Sequence, residues 1–158
     1  MAGKKIRILL ADDHTVVRRG FGLILAQEPD MEVVGEAQNG REAVELAQQL
    51  KPDVVVIDVS MPELNGIEGT RRITDTCERT RVLALSMHRD AVYVREILRA
   101  GARGYVLKDA AENAFVDAVR AVARNEAYLS PAIADAVLTD YRKHVTNPID
   151  LLSSRERE

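Results

Sequence analysis

The sequence predicts an open, doubly wound α/β fold, with five parallel strands in the order 2-1-3-4-5 between two layers of helices and one further helix after them. Three observations carry this. Short aliphatic runs alternate with amphipathic helical patterns five times along the chain, and such alternation implies parallel pairing through right-handed crossovers. The runs are apolar at successive positions, as in "VVVI" at 54–57, the pattern of strands covered on both faces. Five units are also too few to close an eight-stranded barrel, so the sheet stays open.

The strands read as Ile6–Ala11, Met31–Ala37, Val54–Asp58, Arg81–Ser86 and Gly104–Leu107. In the first helix, Val17, Gly20, Phe21, Ile24 and Leu25 form one stripe at i, i+3, i+4, i+7 and i+8. The second starts near Gly40 and turns Ala43, Val44, Ala47 and Leu50 inward. Asn39 and Glu42 before it have capping-box spacing, and Asn65 and Glu68 repeat it ahead of Ile67, Thr70, Ile73 and Cys77. Asp90 caps a fourth helix that buries Val94, Ile97 and Leu98 and stops at Gly101. Asp109 and Glu112 open a fifth, with Phe115, Ala118, Val119 and Val122 inward. Beyond Tyr128, "SPAIADAVLTDYRKH" begins with a Ser-Pro cap and first turn, and Ile133, Ala134, Val137, Leu138 and Tyr141 make an apolar stripe.

Composition limits the function classes. The 158 residues suit one domain with an appendage, and 46% apolar with 30% charged is an ordinary globular balance. A net charge of −3 without a run of like charge carries no nucleic-acid footprint. Arg18-Arg19 and Arg71-Arg72 read as solvated helix faces. Cys77 is the sole cysteine, which excludes an internal disulfide and fits a reducing cytoplasm. No apolar stretch is long enough to span a membrane, and no membrane partner is expected.

The chemistry gathers where such a sheet binds its ligands, beyond the carboxyl ends of its strands. Asp12 and Asp13 follow the first strand, Asp58 ends the third, Ser86 the fourth, and Lys108 follows the fifth. Any one of these has an ordinary explanation as a cap, turn or surface residue. Four polar strand ends on one edge do not. Two carboxylates about 4 Å apart repel by roughly 4 kcal/mol at an effective dielectric near 20, so three need a cation or raised pKa values. Mg²⁺ suits such a site because it takes carboxylates, water and phosphate oxygens. A carboxylate can serve as nucleophile and form an aspartyl phosphate. The set therefore points to phosphoryl transfer onto Asp58, with Mg²⁺ and Lys108 neutralising charge.

The stretches "ILLADDHTVVRRG", "PDVVVIDVSMPELNG", "VLALSMH" and "GARGYVLKDA" resemble the flavodoxin-like receiver domain of two-component response regulators, most closely the NarL/FixJ family, over about residues 5 to 128. The resemblance implies that Asp58 accepts a phosphoryl group from a sensor histidine kinase. It implies that Asp13, Asp58 and the backbone carbonyl of Ser60 hold Mg²⁺, with Asp12 assisting mainly through water. Ser86 would bond a phosphoryl oxygen and Lys108 would pair with the phosphoryl group. Tyr105 falls at the aromatic switch position, turning inward as Ser86 moves toward the phosphate. Ser60 and His88 occupy positions that tune dephosphorylation, and Glu63 stands where glycine is frequent. The protein would be a phosphoacceptor that catalyses its own phosphorylation and dephosphorylation rather than a turnover enzyme. A homodimer face is offered by helices four and five, or by helix one with helix five.

The expected organisation is a receiver at 1–128, a linker with a helix at 129–152, and at 153–158 the start of a DNA-binding domain. "LLSSRERE" resembles the opening of a LuxR-type helix-turn-helix, and Ser153 with Glu156 has capping-box spacing. The recognition helix is absent from these residues, so DNA binding is expected only through that missing part. A phosphatase of the haloacid-dehalogenase type fits poorly, since its nucleophile follows the first strand. An FMN module fits poorly too, because "ADDHT" puts carboxylates where a phosphate cradle is needed.

Overall fold

The computed structural model describes residues 4–61, 65–87 and 89–145. Glu63, His88 and the region 146–158, including the predicted helix-turn-helix opening, lie outside the described residues. β1 (Ile6–Ala11), β2 (Met31–Ala37), β3 (Val54–Asp58), β4 (Arg81–Ser86) and β5 (Gly104–Leu107) alternate with α1 (Thr15–Ala26), α2 (Gly40–Leu50), α3 (Gly66–Thr76), α4 (Ala91–Arg99) and α5 (Glu112–Ala123). β6 (Tyr128–Leu129) and α6 (Pro131–Val145) follow. All strand pairs are parallel, in the order β2-β1-β3-β4-β5-β6.

The expected order holds with one strand added at the edge. β6 has only two residues, which align Tyr128 with Gly104 and Leu129 with Tyr105. A strand that short leaves no periodicity to read.

Alternate residues of the central strands face opposite helical layers. Leu9, Ala11, Val55, Ile57, Val82 and Ala84 pack with Ala43, Val44, Ile73, Val94 and Ile97 of α2, α3 and α4. Ile8, Leu10, Val54, Val56, Leu83 and Leu85 pack with Leu25 of α1 and with Phe115, Val119 and Val122 of α5. Every residue of β3 is buried. Burial on both faces is therefore the physical source of the unbroken apolar runs.

The caps locate the helices. The side chains of Asn39, Asn65 and Asp90 accept hydrogen bonds from the backbone N–H groups of Glu42, Glu68 and Val92 at 2.8, 2.9 and 2.9 Å. Gly101, at φ +116°, follows the end of α4, a conformation L side chains rarely adopt. Asp109 is not a cap. Ala111 holds that position in α5, and Asp109 instead pairs with Arg89 at 3.1 Å.

Two amphipathic stripes sit differently from expectation. In α1 the fully buried residues are Arg18 and Leu25, not the whole set beginning at Val17. Val17, Gly20, Phe21 and Ile24 line an open groove beside Glu112 of α5, and Phe21 leans on Phe115 with ring centroids 4.7 Å apart. In α6 the stripe divides. Ile133 is buried among Val94, Ile97 and Tyr105, whereas Leu138 and Tyr141 are 53% and 65% exposed. Asp140 pairs with Arg95 of α4 at 3.0 Å, so this helix packs on the same chain. Among the described residues no helix is long and apolar enough to cross a membrane.

Candidate functional site

Parallel strands end together, and their carboxyl ends bring the predicted residues to one edge. β1 delivers Asp12 and Asp13, β3 ends in Asp58, β4 ends in Ser86, and Lys108 follows β5. The neighbouring pairs β1–β3, β3–β4 and β4–β5 put these ends side by side.

Asp12 and Asp58 are each 3% exposed. Lys108 Nζ lies 3.1 Å from Asp12 Oδ2 and 3.2 Å from Asp58 Oδ2. The Ser60 N–H donates to Asp58 Oδ1 at 3.2 Å, and Lys108 N–H donates to the Ser86 carbonyl at 2.9 Å. Tyr105 is fully buried, with its hydroxyl hydrogen-bonded to that of Ser86. The aromatic ring thus stands inward and touches the site through Ser86.

Burial lifts the Asp58 carboxyl above its ordinary pKa, against the Ser60 N–H and the Lys108 charge, which pull it down. For Lys108 burial works against the charge, but the attraction of Asp58 and Asp12 exceeds it, and the ammonium is held above its ordinary value. Burial likewise raises the Tyr105 phenol.

His14 follows the acidic pair at the start of α1, with its side chain 65% exposed. Its backbone N–H donates to Asp12 Oδ1 at 2.9 Å, and its Nδ1 lies 3.3 Å from Asp12 Oδ1 and 3.2 Å from Asp13 Oδ1. The sequence predicts a solvated helix face at Arg18, which is instead 5% exposed. It donates through Nη1 to the Asp12 carbonyl at 2.6 Å and through Nε to Glu36 Oε1 at 2.8 Å. Arg18 and Leu25 lie seven residues apart on the face that the helix buries, and a charged residue there leaves no mark in an apolar stripe.

The donor set fits a hard cation. One ligand atom from each of Asp12, Asp13, His14 and Asp58 lies within 4.8 Å of the others. Asp12 Oδ2 and Asp13 Oδ1 are buried yet accept no well-formed hydrogen bond, although Lys108 and His14 approach them. Buried carboxylate oxygens with spare lone pairs are what a divalent ion with oxygen ligands requires.

The same crowding gives a stability prediction. A group whose folded pKa is raised stabilises the fold below its unfolded pKa and loses that contribution as pH rises through the folded pKa. Asp58→Asn is therefore expected to stabilise the metal-free protein at pH 7, because burial disfavours the Asp58 charge and Lys108 keeps Asp12 as its partner, with a gain that shrinks toward pH 4. Thermal unfolding across that range checks it, and a variant less stable than wild type at pH 7 would contradict it.

The family model described as response regulator receiver domain matches residues 8–120. The transcriptional regulatory protein DegU of Brevibacillus brevis is 41% identical over 141 residues, covering 89% of this chain and 60% of DegU. The oxygen regulatory protein NreC of Staphylococcus carnosus is 37% identical over 161 residues, covering 97% of this chain and 74% of NreC. Among solved structures, a LuxR-family two-component response regulator from Aurantimonas sp. SI85-9A1 superposes with a TM-score of 0.83 at 34% identity, covering 87% of this chain and 99% of that one. The signal receiver domain of NarL from Mycobacterium tuberculosis gives 0.76 at 34% identity, covering 78% and 100%.

Proposed function

The chain belongs to the response regulator receiver family of two-component systems, and on that premise we propose that Asp58 is its phosphoacceptor, fed by a sensor histidine kinase. The observation that carries this is a buried carboxylate at the ligand edge of the sheet, flanked by an ammonium at 3.2 Å and a backbone N–H at 3.2 Å.

An Asp58 oxygen attacks phosphorus, the P–N bond to the donor histidine breaks, and the electron pair leaves with the imidazole. Lys108 offsets the charge that gathers on the phosphoryl oxygens. Asp12, Asp13, Asp58 and the Ser60 carbonyl would hold Mg²⁺. When bound, the ion supplies the remaining neutralisation of carboxylates and phosphoryl oxygens. Ser86 takes a phosphoryl oxygen, and its bond to Tyr105 ties that event to the aromatic ring and the face of α4, β5 and α5. Hydrolysis of the acyl phosphate at the same site returns the resting state.

The chain spans 60% of the length of DegU. In our reading residues 1–128 are the receiver, 129–152 the linker and 153–158 the opening of a helix-turn-helix, the whole protein being a cytoplasmic transcription regulator that binds DNA through that further domain. Homodimerisation through α4 and α5, or through α1 and α5, belongs to the same reading.

Intact-mass spectrometry after incubation with Mg²⁺ and a small-molecule phosphodonor tests the proposal. One phosphoryl group is expected on the wild type and none on Asp58→Ala. Equal addition to both proteins would move the acceptor elsewhere.

A further inference from the structure

Arg18 brings a charge into the interior without a part in the reaction above. Burying an ion costs several kcal/mol, and an apolar side chain of similar volume is often as stabilising or more so. Its partner Glu36 is 44% exposed, so the strength of that ion pair does not account for the burial.

The geometry does. The planar guanidinium spans two acceptors, with Nη1 on the Asp12 carbonyl at 2.6 Å and Nε on Glu36 Oε1 at 2.8 Å. It thereby ties the residue after β1 to the end of β2. The Asp12 N–H is held from the other side by the Ala37 carbonyl at 3.0 Å. The Asp12 carbonyl and the Asp13 nitrogen belong to one planar peptide group. Holding that oxygen orients the plane from which Asp13 departs, while Asp12 is gripped by its own backbone.

We propose that Arg18, steered by Glu36, is the positioning residue of the cation site, orienting the Asp12–Asp13 peptide so that both carboxylates converge with Asp58. The inference rests on the reading of those acids as the Mg²⁺ site.

Charge and position predict opposite signs. A guanidinium near a cation site repels the ion, so if charge were its only effect, Arg18→Met would tighten Mg²⁺ binding. A positioning role predicts weaker binding. Arg18→Lys keeps the charge, but one ammonium cannot reproduce the fork.

The test is calorimetric titration of Mg²⁺ into the metal-free chain, at a temperature where circular dichroism shows each variant folded. Arg18→Met and Arg18→Lys are expected to raise the Mg²⁺ Kd by about 10-fold or more, the usual cost of removing a group that orients metal ligands. Glu36→Gln retains an acceptor and is expected to bind like wild type. Glu36→Leu removes the acceptor and is expected to weaken binding. Unchanged or tighter binding by Arg18→Met, or equal weakening by both Glu36 variants, overturns the proposal. Should Arg18→Met not fold, the Glu36 pair decides alone. A wild type that binds no Mg²⁺ overturns the site reading together with this inference, whereas a binding wild type with unaltered variants overturns this inference only.

Discussion

Gly66→Ala is expected to destabilise the protein by about 3 kcal/mol and to impair phosphoryl acceptance in molecules that remain folded. A Cβ on Gly66 would stand 2.3 Å from the Asp58 carbonyl oxygen and 2.7 Å from Val59 Cα. These are backbone atoms at the end of β3, and no flexible side chain can yield in their place. The Gly66 N–H also donates to the Val59 carbonyl at 3.0 Å, which holds the start of α3 against that turn. Either α3 lifts or the Asp58 backbone moves, and the second displaces the nucleophile. A loss of this size lowers Tm by roughly 6–12 °C in a chain of this length.

Gly20→Ala is the control, because a Cβ there meets nothing within 4 Å. Within α1 the same change is expected to stabilise by about 0.5–1 kcal/mol, the ordinary helical preference for alanine. Thermal unfolding of the two variants checks both signs. A Gly66→Ala protein melting with the wild type would show that the close approach is not maintained in solution.

Lys108→Met is expected to have the second large effect, and one that depends on pH. The ammonium touches both Asp12 and Asp58. Removing one partner from a buried ion pair costs about 3–5 kcal/mol when the remaining charges persist. Asp58 has an escape, which is to hold its proton. Its pKa is already raised by burial, and without Lys108 it rises further. A raised folded pKa means stability present below the unfolded value and lost as pH rises through the folded one.

The variant should therefore stay close to wild type near pH 4 and fall progressively behind as the solution becomes neutral. Mg²⁺ should return more stability to the variant than to wild type, since a ligand bound to the native state stabilises by RT ln(1 + [L]/Kd). Melting curves at several pH values, with and without Mg²⁺, make the check. A deficit that is equal at every pH would mean that Lys108 acts through packing alone.

The strand ends were legible because each central strand is buried on both faces and stops where its polar residue begins. That one pattern brings Asp58, Ser86 and Lys108 to a common edge. The first helix was less legible. Arg18 counts as polar in any hydrophobic stripe, so the apolar pattern beginning at Val17 hid the residue that the helix buries. Asp109 and Glu112 had the spacing of a cap, yet Asp109 pairs with Arg89 on the loop after β4, a competitor remote in sequence.

By itself the sequence determined the topology of the first five strands, the helices between them and the identity of the acids at the ligand edge. Their signals are local, with burial printed as apolar runs and caps printed as short spacings. Only the tertiary structure decided that Gly66 presses on the Asp58 carbonyl, that Arg18 reaches the Asp12 carbonyl, that Tyr105 stands inward against Ser86 and that α6 rests on α4. Each of these is a contact between different elements, set by how the layers close on the sheet. Spacing along one element carries no record of the atoms that another will bring against it.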